Sequence, residues 1–491
     1  MDRTLFSFLL ILYPSLSECF LSGSQNSECH QWKEEFARNQ ATVTSKVPPD
    51  VLGKWVSESC EVRPGPDFLL RRYQFFSNKT FVLHQFYYMD DSCTLPAYSI
   101  IAWGHYHLSR ASWIVPGAME TDYVTTRVNL IAYSSDVAES LAHRINRSCP
   151  NHIRSNWRPY KRYRIYSYVE NGNGSRNDVI EDYDCLSSLH ITFNELQLMR
   201  VEHRKALHHR HKPHPTRIEL FLGDVHNDVN KRNFYRPTSY QAPLLNSKSV
   251  GCHVCHLVSK SHELSPPQLP ARPRLPVYLN GEWISTRCEI RPLGMFLTRQ
   301  LQFNRDNWKG SYQYYADPNC ATPTFLLEAE GKFIEIQPSN KFAGATEYNF
   351  NVYRGFLTLQ KDSFVAGVNR HSGNLCGRSG SWEANVTQDV TSTGGCLNLG
   401  IRIPSLEYNV VRIDIDHHGN SLLYLGKLDT DFRPTSPSRR PTSYQLPLVQ
   451  CRHISDNHLN PIPHALYLSS SCQSSSTINI VILFVFWILR E

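Results

Sequence analysis

The cysteines are the side chains most able to do chemistry in this 491-residue chain, which carries 14 of them. Cys252-His-Val-Cys255 has the C-x-x-C spacing of a redox couple or of half a zinc site. In an exported chain the same spacing reads as two neighbouring disulfide partners. The acids that recur beside matched cysteines are Glu61 and Glu289, each following a Cys directly. A Glu in that position reads as a surface or turn residue. The run His203–Pro215, "HRKALHHRHKPHP", offers metal-binding or heparin-binding side chains, but it has no fixed ligand spacing and reads as a solvated loop. G-x-S-x-G, H-E-x-x-H and a phosphate-cradling glycine loop do not occur. The pattern therefore points to a non-enzyme with no cofactor and no metal; the alternative is a secretory-pathway enzyme or lipid carrier that uses an interior pocket.

The ends of the chain bear on compartment. Arg3, the apolar stretch Leu5–Leu12 and Ser15-Leu16-Ser17 have the charge, length and small-residue pattern of a secretory signal over residues 1–17. Export makes disulfides the default for the cysteines. It also makes the sequons at Asn78, Asn146, Asn173 and Asn385 usable glycan acceptors. A Ser-rich stalk at 453–476 precedes an apolar tail at 477–491, which is short for a helical span and fits either a single span or a glycolipid-anchor signal. Both place the bulk of the chain on the extracellular face of the cell membrane. The net charge of +7 is modest and does not indicate nucleic-acid binding.

Positioning such residues falls to a unit written twice. "RPTSYQAPL" at Arg236–Leu244 returns as "RPTSYQLPL" at Arg440–Leu448. Upstream, "LGKWVSESCEVRPGPDFLLRRYQF" from Leu52 answers "LNGEWISTRCEIRPLGMFLTRQLQF" from Leu279. Cys60, Cys93, Cys149 and Cys185 have counterparts in Cys288, Cys320, Cys376 and Cys396, in the same order. This is a tandem duplication, with a first β-domain at 28–258, a Pro-rich linker at 259–276 and a second β-domain at 277–452. If the copies share a fold they share connectivity. Of the three pairings that four cysteines allow, Cys60–Cys93 with Cys149–Cys185, and Cys288–Cys320 with Cys376–Cys396, is the one expected. Cys29 and Cys451 are then free to clamp the ends, and Cys252 to join Cys255.

Comparing the copies exposes strand periodicity. Tyr98, Ile100, Ala102, Gly104 and Tyr106 share one alternating face, matched by Phe325, Leu327, Ala329, Gly331 and Phe333. Tyr73 and Phe75 match Leu301 and Phe303 in the same way. The mid-strand glycine marks a bend or bulge. Turn signals such as "FSNKT" and "MDDSCTLP" join antiparallel hairpins. Helices are minor, the clearest being Ser135–Asn146. Gly53-x-Trp55 and Gly281-x-Trp283 open the copies as in lipocalin-like barrels. The fold class is thus mostly β: two tandem, duplicated, antiparallel β-barrel-like domains with minor helices.

Taken together, "GKWVSESCEVRPGPDFLLRRYQF", "HQFYYMDDSC", "GEWISTRCEIRP", "ELFLGD" and "RPTSYQ-PL" resemble the adenomatosis polyposis coli down-regulated family over almost all of Cys29–Cys451. The resemblance implies a membrane-tethered, glycosylated inhibitor of Wnt signalling whose partners are Wnt proteins and their receptors or co-receptors. Wnt proteins carry a fatty acyl chain. Burying it gains about 0.8 kcal/mol per CH₂, so an apolar barrel interior is a candidate acyl site. The lining candidates are Tyr73, Phe75, Tyr98, Ile100, Ala102 and Tyr106 in the first copy. Leu301, Phe303, Phe325, Leu327, Ala329 and Phe333 are their equivalents in the second. The small Ala102, Ala329, Gly104 and Gly331 are expected to leave room among them.

Overall fold

Alternating apolar residues and short polar turns build two closed rings of strands. The computed structural model describes residues 28–150, 156–168, 183–205, 216–249, 251–371, 375–378, 380–416 and 419–451. The first ring contains Gly53–Val56, Asp67–Phe75, Thr80–Tyr88, Pro96–Ala111, Met119–Ala132, Leu198–Lys205, Thr216–Leu222 and Leu244–Asn246. Consecutive members pair antiparallel, Met119–Ala132 joins Leu198–Lys205, and Leu244–Asn246 closes on Gly53–Val56 through Leu245–Val56 and Asn246–Trp55. The second ring repeats this with Gly281–Ser285, Met295–Asn304, Asn307–Tyr315, Pro323–Pro338, Ala345–Leu359, Ser405–Ile415, Ser421–Leu425 and Leu448–Cys451. Its closure pairs Trp283 with both Leu301 and Gln450. Closure leaves neither ring with a free edge.

Register carries the same residues inward in both copies. Tyr73, Leu83, Ala102 and Val128 lie side by side across four strands of the first ring. Leu301, Gly310, Ala329 and Gly355 do so in the second. Each ring is plugged by its Trp, whose indole N–H donates 2.7 Å to the carbonyl four residues earlier, Val51 or Leu279. The mid-strand glycines sit at register shifts, between Trp103 and Gly104 and between Glu330 and Gly331. A Cβ on Gly104 would lie 2.1 Å from the Val124 carbonyl oxygen, and one on Gly331 1.8 Å from that of Asn351. Backbone and aromatic rings fill this space, so the expectation that these glycines leave room for a ligand is corrected: the bulge requires them.

Helices cap the rings. Ser135–Ser148 starts at Ser134, whose hydroxyl accepts from the Val137 N–H, and buries Ala138, Leu141 and Ile145 against the first core. Asp362–His371 packs Phe364, Val365 and Val368 against the second. Two further helices lie in segments read as β-domain or as the start of the Pro-rich linker. Glu28–Ala41 is fixed to the second ring by Cys29–Cys451 and to the first by Arg204 on Gln40. His253–Lys260 carries the Cys252–Cys255 disulfide at its start. The Pro-rich segment is strapped down: Leu269 is buried with its N–H on the Cys93 carbonyl, and Arg272 meets Asp414 at 3.1 Å. His203–Lys205 are strand residues and Arg204 is buried, which corrects the loop reading for those three; the remainder of that run lies outside the described residues.

The rings meet through reciprocal contacts. Phe68 packs on Phe342, and its counterpart Phe296 lies with Val115, the counterpart of Phe342. Arg412 reaches Asp91, and its counterpart Arg200 reaches Asn319 in the matching turn. The Gly65 N–H donates to the Thr442 hydroxyl, while the Leu293 N–H donates to that of Thr238. Such paired contacts define an isologous, pseudo-two-fold interface. It is reinforced on one side by Arg287, which crosses to both carboxylate oxygens of Glu219 at 2.9 and 3.0 Å.

Candidate functional site

Each copy contains a buried polar triad beneath its first disulfide. The Ser57 hydroxyl donates 2.6 Å to Glu61, and Arg71 meets the same carboxylate at 2.7 Å and the Ala242 carbonyl at 2.8 Å. In the second copy Ser285 donates at 2.8 Å and Arg299 at 2.7 Å to Glu289, with Arg299 also on the Leu446 carbonyl. The surface reading of Glu61 and Glu289 is therefore wrong. Both are buried, because an Arg ten residues along the chain arrives on the neighbouring strand to neutralise each one. Burial raises the Glu289 carboxyl, but Arg299 and Arg291 outweigh it and hold it below the usual carboxylate range. The repeated Tyr-Gln phrase completes the arrangement. Gln241 accepts from Arg63 and donates to the Gly223 carbonyl; Gln445 accepts from Arg291 and donates to that of Gly426. Pro237 and Pro441 press on those glycines, where a Cβ would come within 2.5 and 2.6 Å. These clusters are held together by hydrogen bonds and ion pairs within each copy.

The ring interiors hold the cavity candidates. In the first ring Tyr73, Phe75, Ile100, Ala102 and Tyr106 are all buried in one core, with Tyr98 partly buried and stacked on Tyr87 at 4.6 Å. In the second, Leu301, Phe303, Phe325 and Ala329 are buried, whereas Phe333 and Leu327 keep partial exposure. The twelve therefore all face ring interiors, but the two interiors differ. A polar knot fills the first: Glu195, 1 % exposed, accepts from Tyr73 at 2.7 Å, Gln85 at 2.9 Å and Arg63 at 3.2 Å, and Tyr87 donates to Gln85 at 2.9 Å. In the second ring the matching positions are Leu301 for Tyr73, Tyr312 for Gln85, Tyr314 for Tyr87 and Glu407 for Glu195. Leu301 brings no hydroxyl, Arg291 turns to Glu289 at 2.6 Å, and the knot is not tied. Tyr312, Tyr314 and Leu327 are part-exposed, and Glu407 is exposed although its ladder partner Phe350 is buried among rings. At this level the inward-facing residues of the second ring are the more exposed ones. Composition could not show this; the substitutions become legible only once strand register aligns them.

The cysteines pair as Cys60–Cys93, Cys149–Cys185, Cys288–Cys320, Cys376–Cys396, Cys29–Cys451 and Cys252–Cys255. Among the described residues the group with metal-like spacing is Cys29, Glu282 and Cys451, and its two sulfurs are consumed in a disulfide. Asn78 is exposed in a hairpin turn with its side-chain oxygen accepting from the Thr80 hydroxyl at 2.7 Å. Asn146 is exposed on the Ser135–Ser148 helix and Asn385 in a loop. Asn173, the expected leader at 1–17 and the expected stalk and tail at 453–491 lie outside the described residues. No helix among the described residues is long and apolar enough to cross a membrane.

The sequence profile of the family described as adenomatosis polyposis coli down-regulated 1 matches residues 28–270 and again 272–473. The two matched segments correspond to the two rings and together take in most of the chain. That family is one of signalling inhibitors and not of enzymes, and it is consistent with a role in inhibiting Wnt signalling. The duplicated rings, the paired disulfides and the match across both halves place this chain in the adenomatosis polyposis coli down-regulated 1 family.

Proposed function

We propose that the protein is a membrane-tethered, glycosylated inhibitor on the extracellular face of the cell membrane that binds Wnt through its fatty acyl chain in the second ring. The observation that carries this reading is the partial exposure of Tyr312, Tyr314, Leu327 and Phe333 on the inward face of the second ring, against a first ring whose matching level is filled by the Glu195 knot. An acyl chain withdrawn from water gains about 0.8 kcal/mol per CH₂, so even eight buried methylenes supply about 6 kcal/mol.

The test places a bulky side chain at the middle of each ring in turn. Ala329→Trp is expected to lower binding of acylated Wnt at least tenfold, while Ala102→Trp alters it only as far as it alters stability. Equal binding of acylated and non-acylated Wnt by the unaltered protein would exclude acyl capture and leave surface contacts, with Wnt or with a receptor, as the means of inhibition.

A further inference from the structure

The outer walls of the two rings carry different charge at places that register makes equivalent. In the second copy Lys309 stands opposite Glu330 and Glu330 opposite Arg354; two residues beyond Arg354, Phe356 stands opposite Asp389 of the short strand Thr387–Asp389. The charged side chains alternate in sign and pair. Lys309 meets Glu330 at 2.8 Å, and Arg354 lies between Glu330 at 3.7 Å and Asp389 at 3.9 Å. In the first copy the same ladder runs Val82, Trp103, Arg127, and two residues beyond Arg127, Asn129 stands opposite Arg164 of the strand Tyr163–Ser167. The same bulge follows in both, at Gly104 and at Gly331, which fixes the alignment. Arg127 is thus the counterpart of Arg354, and the two acids of Arg354 are replaced by Trp103 and Arg164. Ala102 and Val128, next to Trp103 and Arg127 in sequence, line the core, so the altered row faces outward. The Arg127 guanidinium lies over the Trp103 ring, 3.9 Å from its centre, a contact that orients the cation without neutralising it. Arg164 is exposed, and among the described residues neither arginine makes an ion pair. Arg162, a third cation two residues before Arg164, is committed to Glu263.

We propose that Trp103, Arg127 and Arg164 form a binding site for a sulfated glycan on the outer wall of the first ring. Exposed like charges repel only weakly in water, so the fold itself tolerates this pair; what the pair offers is complementarity to an anion. Each guanidinium presents a planar fork of N–H donors that matches the paired oxygens of a sulfate. The two arginines stand on adjacent strands and face the same way, so successive sulfates of one chain can meet them along the wall. A phosphate headgroup has similar oxygens, but a site on a lipid surface uses its aromatic residue as an anchor among the headgroups, and here Arg127 covers the indole. The second copy, with Arg354 held between its acids, lacks the site. This inference rests on the extracellular placement proposed above and not on acyl capture.

The test is binding of the purified full-length protein to immobilised heparin at physiological salt, with desulfated heparin and phosphatidylserine vesicles as the alternative surfaces. Trp103→Glu with Arg164→Asp writes the second copy's residues into the first and gives Arg127 the two acids that Arg354 has. The dissociation constant for heparin is expected to rise at least about tenfold, the scale of two lost charge-assisted contacts. Lys341→Gln with Lys361→Asp lowers the net charge equally at exposed places off the site and should change binding by less than about twofold. Arg164→Gln, a single exposed change that the fold tolerates, should weaken heparin by about threefold. Desulfated heparin should not bind. An equal loss in the site variant and the charge-matched control would reduce the effect to net charge and overturn the site, as would heparin binding that neither site variant alters. Vesicle binding that depends on Arg127 and Arg164 while heparin binding does not would assign the wall to a lipid surface and overturn the glycan. Ala329→Trp should leave heparin binding unchanged, so failure here and failure of acyl capture are read separately, and labelling of intact cells with a membrane-impermeant reagent reads the extracellular placement by itself.

Discussion

Replacing Glu219 by Gln tests how far the inter-ring ion cluster holds the molecule together. Glu219 is fully buried and shared by three guanidiniums: Arg217 at 2.6 Å, Arg287 of the second copy at 2.9 Å and Arg204 at 3.7 Å. Burial alone would raise its carboxyl. Arg287, Arg217 and Arg204 outweigh that and lower it from 4.5 to about 2. A depressed folded-state value means that the carboxylate stabilises the fold fully above the unfolded value near 4.5, and that this contribution fades as pH falls toward 2. The difference of about 2.5 units corresponds to about 3 kcal/mol at neutral pH. Glu219→Gln keeps the volume and removes the charge, leaving Arg287 without its anion and Arg217 and Arg204 with only Glu58 and Glu202, so about 3 kcal/mol is the expected loss. Urea unfolding with disulfides intact should show that loss at pH 7, and the two proteins should converge between pH 4.5 and 2. A gap of under 0.5 kcal/mol at pH 7, or one that persists undiminished at pH 2.5, would refute the reasoning.

Three further outcomes follow from the interior. Gly331→Ala drives a Cβ to 1.8 Å from the Asn351 carbonyl oxygen; unfolding should move by more than about 2 kcal/mol, and a neutral result in a thermal melt would mean that the bulge yields. Gln445→Ala removes the acceptor of Arg291 and the donor to Gly426, for an expected cost of about 1–3 kcal/mol, read by the urea midpoint and matched by Gln241→Ala in the first copy. His84 is held neutral by burial and by Arg72 against the pull of Glu263, its value lowered from 6.5 to about 4. The stability tied to its neutral form is present above 6.5 and lost as pH falls toward 4, and His84→Gln should flatten that part of the urea profile.

What the chain discloses by itself is set by local pattern. Period-two alternation at Tyr98–Tyr106 and Phe325–Phe333 needs only neighbours in sequence, so the strands and their inward faces were readable. The mid-strand glycines announced a bulge for the same reason. Glu61 was misread because the Arg that neutralises it belongs to the next strand, and only register brings Arg71 to it. The contrast between rings was hidden more deeply. Tyr73 to Leu301 and Gln85 to Tyr312 look like ordinary drift until Glu195 and Glu407 fall into line, and those two stand 10 and 11 residues after matched cysteines. The helix Glu28–Ala41 was missed because its apolar residues are few and its position is fixed by a disulfide to the far end of the chain.

The pseudo-two-fold interface has a consequence for how such a molecule assembles. On a two-fold axis each residue meets its own copy. Leu220-Phe-Leu-Gly-Asp224 corresponds to Leu423-Tyr-Leu-Gly-Lys427, and Asp224 indeed contacts Lys427, at 3.2 Å. Two first copies brought together in this geometry would set a buried Asp against an Asp, and two second copies a Lys against a Lys. The covalent tandem alone places opposite charges on the axis, so the interface discriminates self from partner within one polypeptide, and exchange of rings between neighbouring chains is favoured only when unlike halves meet.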